Sequence, residues 1–192
     1  MTATPPGSTV RTAIAAILAG VLIFAGQAGE LIFGSRSGLV TAVYVLLGGG
    51  GILALGIALW GLRAFTRSTW RGRLGVWLSL SGVAVLVVFI IQVLVEVVQA
   101  GQVPENFVLF ALGYLLAILG HLLFARDLRP HLGRAWVAPL VAAAGAIVAL
   151  TVEADPYHDI GLFVFEGAWV ALGVALLRLR STAGRDAASA SG

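Results

Sequence analysis

Residues 74–99 read LGVWLSLSGVAVLVVFIIQVLVEVVQ and hold one ionisable side chain, Glu96. A helix needs about 20 mostly apolar residues to cross a hydrocarbon core about 30 Å thick. This stretch meets that length, and it lacks the strict polar–apolar alternation of a barrel strand. Five further runs of the same kind flank it, at 12–34, 38–62, 104–125, 136–153 and 160–178, the fifth in chain order being the shortest. The reading is an all-α, polytopic transmembrane bundle of six spans. It divides the chain into a polar leader (1–11), one membrane domain (12–180) and a small polar tail (181–192) expected to be disordered.

Composition agrees. The chain of 192 residues is 59% hydrophobic and 11% charged, with a mean hydropathy of +1.00. So few charges do not cover the surface of a water-soluble globule. Cysteine is absent, which removes disulfides, iron–sulfur clusters and thiolate zinc sites. Every basic residue is Arg, so no lysine nucleophile or Schiff base is available. Arg with Ala, Gly, Val and Leu is also the usage expected of a GC-rich prokaryotic genome. The pI near 10.2 is read as topology signal, and no nucleic-acid partner is expected.

The charges are segregated. Arg11, Arg63, Arg67, Arg71, Arg73, Arg126, Arg129, Arg134, Arg178, Arg180 and Arg185 fall on one side, and only Arg36 on the other. The positive-inside rule then places both termini in the cytoplasm and the chain in the cell (plasma) membrane. Arg63, Arg67, Arg71 and Arg73, with Trp70, suit anionic lipid headgroups. Glu30, Glu96, Glu105, Glu153, Asp155, Asp159 and Glu166 collect on the opposite, outer side. A second reading takes Arg11, the following apolar run and Gly26-Gln27-Ala28 as a cleaved signal peptide, leaving five helices.

Two patterns concern packing. Leu55-Gly56-Ile57-Ala58-Leu59, Leu119-Gly120-His121-Leu122-Leu123 and Leu172-Gly173-Val174-Ala175-Leu176 recur in the even-numbered spans, each followed by Arg. They suggest three repeated helical hairpins, or chance matching of common membrane residues. Small residues at Ala15/Ala19, Ala16/Gly20, Gly113/Gly120 and Gly167/Gly173 permit close helix contact, within the chain or with a membrane partner or second copy. The run Gly48–Gly51 is a candidate break in the second span.

The candidate site is polar and intramembrane. Gln27 stands one turn from Glu30, and Gln92 one turn from Glu96. Glu166 lies about 9 Å into its span at 1.5 Å per residue. If these faces turn inward, Gln27, Glu30, Gln92, Glu96 and Glu166 form an outward-facing acidic pocket with amides at its base. Carboxylates and amides in a low dielectric hold a cation, an amine or a proton. The last outer loop sets Glu153, Asp155, His158 and Asp159 in close succession, which are metal-ligand types and also the composition of a turn. Ser79, Ser81 and Thr151 read as hydroxyls bonded to their own helix. His121 reads as a packing residue. No cofactor is expected, because no second span offers a histidine for a haem.

In size, helix count and internal termini the chain resembles the substrate-binding subunits of vitamin-type energy-coupling transporters. Ala15, Ala19 and Gly20 match the small residues that such subunits present from their first helix to a scaffold. The resemblance implies an integral membrane binding protein with a partner subunit, and it transfers no substrate residue. The leading expectation is therefore binding or transport of a small cationic or polar solute. The alternatives are a structural or accessory membrane subunit and, third, an intramembrane enzyme using Glu153, His158 and Asp159.

Overall fold

A computed structural model describes residues 6–33, 38–66, 69–100, 108–151 and 157–189. These residues form six α-helices and no strand: α1 (Pro6–Phe33), α2 (Gly38–Leu62), α3 (Trp70–Ala100), α4 (Val108–Leu132), α5 (Ala138–Thr151) and α6 (Tyr157–Ser189). Five stretches are long and apolar enough to cross a membrane: Ser8–Ile32, Leu39–Leu62, Trp70–Gln99, Val108–Thr151 and His158–Leu179. The fourth contains both α4 and α5, separated by a 3-10 turn at Gly133–Val137. Gly133 opens that turn at φ 52°, a left-handed conformation that glycine reaches without a Cβ penalty. The fifth apolar run, read as 136–153, thus supplies a helix of only 14 residues.

The helices close into a ring. Each packs against its two chain neighbours, and α1 meets α6 to shut the circle. Glycine sets the tight seams. A Cβ on Gly51 would lie 2.8 Å from the Ile23 nitrogen on α1, one on Gly82 2.5 Å from the Gly113 carbonyl oxygen on α4, and one on Gly145 2.5 Å from the Gly161 carbonyl oxygen on α6. Gly173 brings α6 equally near Ala13 on α1. Backbone contact of this kind replaces the hydrophobic drive that helices lack when lipid is the alternative surrounding.

Small residues are therefore consumed inside the chain. Ala15, Ala16, Ala19 and Gly20 are buried. The three look-alike glycines do different work: Gly120 meets Gly75 and Ser79 in its own hairpin, Gly173 meets α1, and Gly56 only approaches Val83 on α3. The Gly48–Gly51 run does not break α2, which is continuous through it. Its glycines instead serve different neighbours, Gly51 facing α1 and Gly49 facing Ile90 on α3. The last helix, α6, continues to Ser189. Ala183, Ala187 and Ala188 favour helix without any need for a core.

The outward surface is apolar. Leu53, Ile57, Val88, Ile91, Leu115 and Leu119 are all more than half exposed. They sit at i, i+3 and i+4 spacings on α2, α3 and α4, as lipid-facing stripes do, and a soluble monomer does not carry patches of that extent. At the end where α2 meets α3, the Arg63 guanidinium lies 4.9 Å from the Trp60 ring centre and 5.4 Å from that of Trp77. Thr69 Oγ1 donates to Asp127 on α4 and accepts from the Gly72 amide, which caps α3 and ties it to α4.

Candidate functional site

The ring is filled at one end and open at the other. Toward the arginine-bearing ends, Leu55, Leu59, Leu62, Phe124, Leu172 and Leu176 are 0–1% exposed. Toward the acidic ends of the helices lies a cavity of about 810 Å³ lined by all six. That volume suits a small organic molecule. One glycine keeps it open: Gly48 lines it, and a Cβ there would meet nothing within 4 Å, whereas a Cβ on Gly26 would lie 2.9 Å from the Tyr44 carbonyl oxygen and so marks a close contact of α1 with α2.

The lining has two zones. Its base is apolar, with Ile23, Ile52, Leu86 and Leu162 around Tyr114. An aromatic wall rises on the α3–α4 side, where Phe89 and Phe110 are 5.6 Å apart and Phe110 and Tyr114 4.6 Å apart, centre to centre. Around the mouth stand Gln27, Glu30, Thr41, Tyr44, His158 and Asp159. Among the described residues the charged members of this lining are two carboxylates, Glu30 and Asp159. Gln27 Oε1 is buried without a hydrogen-bond partner among the described residues.

His158 is held in a fixed orientation. Its Nδ1 lies 2.7 Å from the Ala149 carbonyl oxygen. A carbonyl only accepts, so Nδ1 carries the hydrogen and Nε2 of the neutral ring keeps its lone pair. This bond also pins the start of α6 to the end of α5.

The sequence expectation of one acidic pocket is thus redrawn. Gln27 and Glu30 line the cavity, as do His158 and Asp159 from the loop proposed for metal. Gln92 and Glu96 do not. The inward face of α3 here is Phe89, Val93 and Val97, and Gln92 and Glu96 lie on its flank, where Gln92 donates to Glu96 at 2.9 Å. Their i, i+4 spacing gives a shared face but not its direction. Glu166 is also absent from the lining, being buried in the seam where α6 meets Gly20 of α1. Glu153 and Asp155, with Arg36, Arg67 and Glu105, lie outside the described residues. Among the described residues no three His, Asp or Glu side chains group to hold a metal ion.

Sequence reasoning missed three participants: Tyr44, Tyr114 and the α3–α4 clasp at Ser79. Single aromatic residues in apolar helices give no signal of facing a cavity. Ser79 bonds across to α4, not to its own helix. Its hydroxyl donates to the Ala117 carbonyl at 3.4 Å and meets His121 Nδ1 at 3.2 Å, while His121 Nδ1 donates to the same carbonyl at 2.6 Å. A serine nucleophile needs a base lone pair at its oxygen. Here Nδ1 is spent on the backbone, and both side chains are at most 1% exposed, so the pair is a clasp. Trp169 is 1% exposed and packs against His121, at 5.3 Å between ring centres.

Comparison with known protein families, with characterised proteins and with solved structures finds no match to this chain.

Proposed function

We propose that this chain is an integral membrane protein that binds a small organic cation, an ammonium with an apolar body, in the cavity at the acidic end of its helix ring. The observation that carries this reading is the lining itself. Two carboxylates, an orphaned amide oxygen and an oriented histidine surround the mouth, above an aromatic wall and an apolar base. Carboxylates and aromatic faces both attract a quaternary or protonated amine, and cation–π contact contributes about 0.5–2 kcal/mol per ring. Among the described lining residues an anion meets no arginine. The apolar base fits the body of such a ligand.

The membrane setting of this proposal is six spans, with the arginine end in the cytoplasm of a prokaryotic cell and the cavity open to the outside. The short α5 reaches far enough when the preceding turn is counted. Fourteen α-helical residues give about 21 Å and five 3-10 residues about 10 Å, close to the bilayer core of about 30 Å. Arg63, held by Trp60 and Trp77, with Arg67, Arg71 and Arg73, then lies at the depth of anionic headgroups. Loading from outside makes the cavity the first station of a transport cycle.

Thermal unfolding of the purified protein in detergent tests the reading. Benzyltrimethylammonium should raise the midpoint saturably, because binding to the folded state alone stabilises it. Benzenesulfonate should not. Gly48→Leu should abolish the shift without lowering the unliganded midpoint, since its side chain grows into open space. Equal shifts with both compounds would contradict the proposal.

One observation favours an accessory-subunit reading. Gly167 and Ala171 form a small-xxx-small pair on the exposed face of α6, and a Cβ on Gly167 would meet nothing within 4 Å. Such a pair receives a partner helix. Gly167→Leu should leave the monomer intact and release a co-purifying subunit if that reading holds.

A further inference from the structure

Below the cavity lies an ionisable group that solute binding alone does not use. Glu166 stands four residues beyond Leu162, which lines the cavity base, so it is about 6 Å deeper along α6. It is 2% exposed, and neither carboxyl oxygen has a hydrogen-bond partner among the described residues. Tyr114 joins the two levels. It lines the cavity, and its ring centre lies 5.7 Å from that of Phe165, the residue before Glu166.

The surroundings of Glu166 supply no fixed counter-charge. On α1 its neighbour is Gly20, and the described ionisable groups of that helix, Arg11 and Glu30, are at its two ends. The α5 helix has no ionisable side chain. From α4 come Tyr114 and, nearer the arginine end, His121, whose Nε2 is also without a partner. On α6 itself, His158 and Asp159 are about two turns toward the mouth and Arg178 about three turns the other way. A carboxyl in such a setting is accommodated either with its proton or beside a cation. The cavity lining does not include Glu166, so in the empty protein the proton is the cation that accompanies it. The proton is the one cation that needs no volume.

We infer that Glu166 is a proton-exchange site coupled to the cavity. When an organic cation settles over the Tyr114 wall, the Glu166 O–H bond breaks, the proton is released to cavity water, and the carboxylate balances the arriving charge. One positive charge enters the buried region as one leaves. Linkage makes the effect mutual: protons and organic cations compete for the protein although they occupy different places. The net charge of the buried region is thereby the same in both states, as suits a coupling site. The inference rests on the cavity being an ammonium site.

Titration calorimetry of the full chain with benzyltrimethylammonium, in two buffers of different ionisation enthalpy, tests it. The probe has a permanent charge and no exchangeable proton, so any proton released comes from the protein. Wild type should release close to one proton per cation bound, and Glu166→Gln should bind with no release. Infrared difference spectra of wild type should lose a protonated-carboxyl band on binding, which guards against a variant that fails to fold. Binding without release, or release that persists in Glu166→Gln, would overturn the proton site and leave the cavity reading standing. No binding by wild type would overturn the cavity reading and the coupling with it.

Discussion

At the arginine end the six helices meet on Leu55, Leu59, Leu62, Phe124, Leu172 and Leu176, all at most 1% exposed. At the acidic end the same helices meet around about 810 Å³ of space. Among the residues that line that space are Gly48, Ala111 and Ala149, each too small to reach the centre. A ring of six helices has a central gap by geometry, and side-chain volume decides whether it closes. One half of this chain fills its centre with leucine and phenylalanine and becomes a packed base. The other keeps Phe89, Phe110 and Tyr114 along one wall, sets small residues opposite, and becomes a vessel.

The largest expected effect breaks this comparison with one residue type. Gly120→Val in the packed half puts a Cβ 2.6 Å from the Ser79 amide nitrogen and should cost about 3 kcal/mol of stability. Gly48→Val in the open half, where a Cβ meets nothing within 4 Å, should cost less than about 0.5 kcal/mol. Reversible unfolding in mixed detergent measures both. Similar losses would mean that the open half is packed in solution.

A smaller effect sharpens the electrostatic side. Glu30→Gln and Asp159→Asn should each weaken benzyltrimethylammonium about threefold to tenfold, more at low salt, because the mouth is partly solvated. Arg73→Gln, at the far end, should leave affinity unchanged. Binding isotherms at two ionic strengths decide this, and an equal loss in all three variants would remove the site from the mouth. The smallest effect concerns the clasp of the packed half. Ser79→Ala should destabilise by only about 0.6 kcal/mol, the usual worth of an interhelical hydrogen bond in a membrane. His121 keeps its own bond to Ala117 in that variant.

The sequence showed the helices because length and hydropathy are local properties, and 74–99 needs no neighbour to be read as a span. It also showed the segregation of charge. It did not show which way a helix faces. Gln27/Glu30 and Gln92/Glu96 look equivalent as strings, yet the first pair lines the cavity and the second lies on the flank of α3. The difference is set by Phe89, Val93 and Val97, which take the inward face of α3. The turn between α4 and α5 was only half legible. Gly133 has to adopt a left-handed φ there, and the 3-10 segment after it takes the first residues of the fifth apolar run. Glu166 was legible as an intramembrane acid, but its burial beside Gly20 depends on α1 meeting α6, a contact between the two ends of the chain.

The absence of cysteine allows the central claim, a cation-accepting cavity in one half only, to be tested by single-cysteine labelling. Gly48→Cys places a thiol in the open half and Leu59→Cys one in the packed half. Each is treated with two thiosulfonate reagents of similar size, one bearing a quaternary ammonium and one a sulfonate. The account predicts that Gly48→Cys reacts with the cationic reagent at least about tenfold faster than with the anionic one, as a field of two carboxylates requires, and that Leu59→Cys reacts with neither. Equal rates for both reagents at Gly48→Cys, or ready labelling at Leu59→Cys, would contradict it.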